Sequence, residues 1–338
     1  MQQIDMEQIF RSFAACMTGR RTARELFPGL LLSAILALSY AASARAEPRV
    51  IASIAPVHSL AAAVMAGTSE PALLVKGAAS EHTYALKPSD TRALNAADLV
   101  IRVSRDLEVF LDKVLTSLPA TVEIVTLDEI PGIKLLGVRE GGVLEAHAHA
   151  GEPAEPHADH ASHDVAAHDP HLWLDPDNAG LIVQHLAEVL ARRDPLHGEL
   201  YRANAAAARG RLEGLAAELT GTLAPIAGKP YVVFHDGYQY FEARFGLAPL
   251  ASLTVDPQVA PGPRRLSEIR ARIRATGAHC VFAEPQFEPR LIATLIEGSG
   301  AHAGSLDGLG AGLTPGPTLY FELLRGMASS LTECLLPS

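Results

Sequence analysis

Residues 195–224 read PLHGELYRANAAAARGRLEGLAAELTGTLA, thirty residues rich in alanine, leucine and arginine with no proline after the first. At 1.5 Å per residue a helix of this length spans roughly 40 Å, the width of a small protein. Asp194-Pro195 reads as an N-cap followed by proline at the first helical position. The expectation is one rigid helix joining two domains. The competing reading is a helical hairpin broken near Gly210 or Gly214, since glycine costs about 1 kcal/mol inside a helix relative to alanine.

On both sides of this segment short apolar runs alternate with helical patterns, which is how βα units building parallel sheets look in sequence. Upstream, strands are predicted at 49–54, 73–75, 99–103 and 122–127, with helices at 56–66, 88–95, 107–118 and 177–192. Downstream, strands are predicted at 231–234, 280–283 and weakly at 303–306, with helices at 238–245, 264–276, 289–297 and 318–335. The fold class is therefore α/β: two βα-repeat lobes with parallel-type sheets, joined by one long helix. The lobes are placed at 47–193 and 225–338, with the linking helix at 194–224.

The first lobe is interrupted by residues 146–170, AHAHAGEPAEPHADHASHDVAAHDP. His147, His149, His157, His160, His163 and His168 alternate there with Glu152, Glu155, Asp159, Asp164 and Asp169, and large apolar residues are almost absent. Such a stretch buries no core and is expected to be a mobile surface loop. Imidazoles and carboxylates at this density suit a borderline divalent cation, Zn²⁺ first, with Cu²⁺ and Ni²⁺ as alternatives. A solvated acidic linker is the other reading.

Residues 1–46 read as a targeting segment. Arg20, Arg21 and Arg24 precede the apolar run 26–38, and Ala44-Arg45-Ala46 supplies a small-residue cleavage pattern. The apolar run is short for a membrane span and no cysteine follows it to take a lipid. Met17 is an alternative start, and the Arg pair leaves twin-arginine export as the alternative to ordinary secretion. The expected product is exported, and it is not a nucleic-acid binder. The first 46 residues carry five Lys/Arg and three Asp/Glu, so the formal charge of −10 becomes −12 without them, and an acidic surface attracts cations. Beyond residue 46 the chain holds Cys280 and Cys334, an even pair for which an exported chain expects a disulfide rather than two buried thiols.

Ligands in open α/β sheets bind beyond the carboxyl ends of strands. His82 lies in the loop after strand 73–75, His235 follows strand 231–234, and His171 ends the histidine-rich loop. Three imidazoles from three loops suit zinc at about 2.0–2.1 Å and leave a fourth position for water or a carboxylate such as Glu81. His82 or His235 alone could equally be a hydrogen-bonded structural residue, and His171 only the last member of the loop cluster. Asp236 reads as an orienting or capping group, and Glu284 and Asp307 as acids for a fourth or supporting position. His58, His185, His197, His279 and His302 are assigned to surface or packing. There is no H-E-x-x-H, G-x-S-x-G or P-loop, and GLGAGLTPG at 308–316 reads as a loop.

The blocks GAASEHTYALKPSDTRALNAADLV, HLWLDP, FHDGYQYFEARFGL, CVFAEPQF and SLDGLG, in this order around an acidic histidine-rich loop, resemble the zinc-binding receptors of bacterial ABC uptake systems, the ZnuA type within the cluster A-I metal receptors. The resemblance covers essentially the whole chain beyond residue 46. It implies two α/β lobes on one backbone helix, with the metal in the cleft between them. It carries the ligand role onto His82, His171 and His235, with Glu81 or water completing the shell and Asp307 where manganese-binding relatives place an acid. Those relatives have glutamate where His235 stands, which favours zinc. The resemblance also implies a Cys280–Cys334 disulfide, Trp173 packed beside the site, a periplasmic location, an inner-membrane ABC permease as partner, and a monomer performing no covalent chemistry. A three-histidine zinc hydrolase or lyase, or a periplasmic metal buffer, is the alternative.

Overall fold

A computed structural model describes residues 47–139, 168–254, 257, 261–287 and 290–336. The predicted targeting segment, residues 1–46, and His147, His149, His157, His160 and His163 lie outside the described residues.

Two four-stranded parallel sheets carry the fold. In the first, β1 (Val50–Ala52), β2 (Ala72–Leu73), β3 (Leu99–Arg102) and β4 (Glu123–Thr126) lie in the order β2-β1-β3-β4. The helices between them are α1 (Ala55–Val64), α2 (Pro88–Ala96) and α3 (Val109–Leu115). After the histidine-rich region come α4 (Pro176–Arg193) and α5 (Gly198–Leu223). The second sheet uses β5 (Tyr231–His235), β6 (Ala251–Thr254), β7 (Cys280–Ala283) and β8 (His302–Ser305) in the equivalent order β6-β5-β7-β8. Its helices are α6 (Gln239–Phe245), α7 (Pro263–Thr276), α8 (Arg290–Ile296) and the final α9 (Leu319–Leu335). Strand order reverses between β1 and β3 and again between β5 and β7, so a crevice opens at the carboxyl ends of those pairs.

The long helix is continuous over 26 residues. Its buried positions Tyr201, Ala205, Ala208, Leu212, Leu215, Leu219 and Leu223 recur every three or four residues, one stripe of the 3.6-residue period. Gly210 and Gly214 sit on the exposed side, so the stripe passes beneath them unbroken and the hairpin does not form. The predicted Asp194 N-cap is corrected: Asp194 closes α4, and His197 precedes the first turn of α5. Its carboxylate accepts from Tyr201 Oη at 2.9 Å and bonds His197 Nδ1 at 2.6 Å, which ties a turn at 194–197 instead of capping backbone amides.

The helix is also more than a linker. It packs along α4, α1 and α9, and one hydrophobic cluster runs through both halves, from Val50 and Leu99 to Tyr231, Phe282 and Leu331. Each buried leucine of that cluster contributes about 1.5–3 kcal/mol by leaving water. Strand β6 has no counterpart in the sequence reading, because ASLT after a proline-containing turn is short and only half β-prone. The Cys280–Cys334 disulfide is formed and ties β7 to α9. Among the described residues no helix is long and apolar enough to cross a membrane.

Candidate metal centre

Each of the three histidines is delivered by a different device. Strand β5 runs one residue further than predicted and ends on His235. His82 follows Ser80 and Glu81 in the turn beyond β2, with the His82 amide donating to Ser80 Oγ at 3.2 Å. His171 precedes the 3₁₀ turn 172–174, whose Leu-Trp-Leu side chains are all buried and pin it to the core.

The three imidazoles converge. His171 Nε2 lies 3.4 Å from His82 Nε2 and 3.1 Å from His235 Nε2, and one nitrogen from each lies within 4.8 Å of the others. Four ligands at zinc–nitrogen distances in a tetrahedron stand about 3.3 Å apart, so the spacing is that of donors around one ion.

The far nitrogens of two of them, His171 and His235, are held by buried carboxylates. His171 Nδ1 bonds Asp169 Oδ1 at 2.7 Å, and that oxygen also accepts from the His171 amide at 2.9 Å. His235 Nδ1 bonds Glu284 Oε1 at 2.6 Å. Glu284 follows β7 directly, and β7 pairs with β5, so the sheet register itself sets this acid beside the histidine. A carboxylate on Nδ1 fixes the tautomer that leaves Nε2 free for a metal and makes that nitrogen more basic. Burial lowers the affinity of His235 for a proton, but Glu284 outweighs it, and the imidazole is pushed up to about 9. Burial, with His171 and His235 alongside, holds His82 well below its ordinary value.

Glu81 is buried at this cluster, with Oε1 3.7 Å from His82 Nε2, and burial pushes its carboxyl up. Asp307 is engaged by its own turn. Its two oxygens accept from the backbone amides of Leu309, Gly310 and Ala311 and from Gln286, so it shapes the SLDGLG turn. His168 is likewise engaged, its Nε2 3.1 Å from Asp128 Oδ2. Trp173 packs 5.3 Å from the His171 ring and donates to Gly308 O at 3.0 Å.

Three further features of the site have no clear signature in the sequence. Asp169 belongs by composition to the histidine-rich loop, and its position two residues before His171 is the one local signal of its role. Gly237 carries no side chain where a Cβ would stand 2.2 Å from His235 Nε2 and 3.0 Å from His171 Nε2. Any other residue would occupy the space between the imidazoles. Finally, Arg139 donates to Asp236 Oδ2 at 3.0 Å and to Glu242 Oε2 at 2.8 Å, while Tyr231 Oη donates to Glu242 Oε1 at 3.1 Å. Arg139 lies about a hundred residues from Asp236 and Glu242, and no sequence pattern joins them. The free space left within the cluster is about 10 Å³, roughly one water-sized sphere.

Two parallel α/β sheets meeting at buried imidazoles around an ion-sized space define a class: a two-lobed binding protein for a small cation. The family described as zinc-uptake complex component A, periplasmic, matches residues 50–334, and the chain belongs to it. The high-affinity zinc uptake system protein ZnuA of Brucella abortus (strain 2308) is 43% identical over 327 residues, covering 90% of this chain and 97% of that protein. Its namesake in Paracoccus denitrificans (strain Pd 1222) is 39% identical over 318 residues, with the same shares covered. A mutant of the laminin-binding adhesin Lmb of Streptococcus agalactiae superposes with a TM-score of 0.69 at 25% identity, over 86% of this chain and 100% of that one. A crystal structure of ZnuA superposes at 0.71 over 86% and 99%; at 22% identity it speaks for the fold alone.

Proposed function

We propose that this chain is a periplasmic receptor that captures Zn²⁺ through His82, His171 and His235 and presents it to an inner-membrane ABC permease. The observation that carries this reading is the approach of three imidazole nitrogens to within 4.8 Å of one another around a small space that Gly237 leaves free. The set of neutral nitrogen donors favours zinc over manganese, which prefers carboxylate and water oxygen. Glu81 or a water completes the shell. The membership reported above and the names of its relatives support the periplasmic location and the permease partner.

The receptor works by ligand exchange as a monomer, with lobes at 47–193 and 225–338 on the linking helix. Residues 146–170 raise the local zinc concentration, and the histidine cluster then holds the ion against water. The chain is read as a carrier that performs no covalent chemistry, a reading supported by its membership of a zinc-uptake receptor family. Release comes from small shifts of lobe or loop on docking, since a continuous, packed helix leaves little room for a wide hinge.

Protein prepared without chelator is expected to contain one tightly held zinc that excess manganese does not displace. His235→Ala is expected to abolish tight binding in calorimetry, leaving only weak sites, and unchanged tight affinity would refute the assignment.

A further inference from the structure

The segment 133–139 leaves the first half of the molecule and ends against the second. Leu136 O accepts from the Asp169 amide at 2.7 Å, and the Leu136 amide donates to Tyr240 Oη at 3.0 Å, while Tyr240 Oη donates to Asp169 O at 2.8 Å. Asp169 is the residue that holds His171. Three residues later Arg139 grips Asp236, which stands between His235 and Gly237, and Glu242 of α6. Asp236 and Glu242 are almost fully enclosed, with side chains 5% and 3% exposed, against 22% for Arg139. One short segment thus touches both the support of His171 and the turn that carries His235.

We infer that Arg139 is a positioning residue for the metal centre: by gripping Asp236 and Glu242 it fixes the turn 235–237 against His171, setting the separation of two zinc-binding nitrogens. The inference rests on the proposed zinc-binding role of the histidines. The planar guanidinium is what makes the grip directional. A guanidinium presents several donors in a rigid fork and spans two carboxylates at once, whereas an ammonium is a single mobile point charge. Charge neutralisation alone would be met by either residue; orientation would not.

The test follows from that difference. Arg139→Lys keeps the positive charge beside the two buried acids, so it protects folding while losing the fork. Arg325→Lys is the matched control, because Arg325 holds Glu218 through two bonds of 2.8 and 2.7 Å between α5 and α9 and touches none of the three histidines. Zinc affinity is measured by chelator competition, site geometry by the visible absorption of the Co²⁺-loaded protein, and folding by thermal melting without metal. Arg139→Lys is expected to bind zinc at least tenfold more weakly with an altered cobalt spectrum, and Arg325→Lys to match wild type in both. Wild-type affinity and spectrum in Arg139→Lys would overturn the inference, and so would equal weakening in both variants, which would mean general loosening. Failure of the wild-type protein itself to bind zinc tightly would instead remove the zinc reading on which the inference stands.

Discussion

At the scale of single residues, the site is built as much by what is missing as by what is present. Gly237 suits the proposed site because a Cβ there would lie 2.2 Å from His235 Nε2, well inside van der Waals contact. Gly237→Ala is therefore expected to weaken zinc binding at least a hundredfold while leaving the far-ultraviolet dichroism intact, and chelator competition reads the change. Protonation gives a second residue-scale prediction. His235 is raised to about 9 by Glu284, so under the proposed ligand set zinc must displace its proton at neutral pH, whereas His82, held low, is already neutral. Affinity is expected to rise about tenfold per pH unit from pH 7 to near 9, and calorimetry in buffers of different ionisation enthalpy should find about one proton released at pH 7. The metal-free fold has the opposite trend. A histidine raised above its unfolded value of about 6.5 stabilises fully below that pH, and its contribution fades as pH rises through about 9.

At the scale of elements, the stem of the histidine-rich segment is distinct from its interior. Asp169 bonds His171, Arg139 bonds Asp236, and Leu136 joins the two ends. A deletion reaching Asp169 would therefore injure the site for reasons unrelated to the histidines it removes. Deleting residues 141–167 while keeping Arg139, His168 and Asp169 is expected to leave the tight site within about threefold of wild type. The same deletion should abolish the weaker metal binding, with stoichiometry by calorimetry as the measurement. Most elements were legible before the structure, since proline at the first turn of α2 and the apolar stripe of α5 are local signals. Strand β6 was not, because its placement comes from pairing with β5 rather than from its own four residues.

At the scale of the whole molecule, the chain is closed from its last helix back to its second sheet. The Cys280–Cys334 bridge spans 54 positions, for which the chain-entropy relation gives about 4 kcal/mol of stabilisation. Reduction, or Cys280→Ser with Cys334→Ser, is expected to lower the unfolding free energy by about that amount in denaturant titration, and unreduced protein prepared without residues 1–46 should show no titratable thiol. Histidine content, the βα rhythm and the long unbroken helix fixed in advance the α/β class, the two-sheet plan and the three imidazoles worth watching, because each is written in residue type and short-range period. What the sequence could not determine is which acids serve them. Asp307, following a strand as Glu284 does, is consumed by its own turn, while Glu284 reaches His235 because β5 and β7 are paired in register. That choice, like the meeting of Arg139 with Asp236, depends on distances between segments far apart in the chain, which only the packed fold decides.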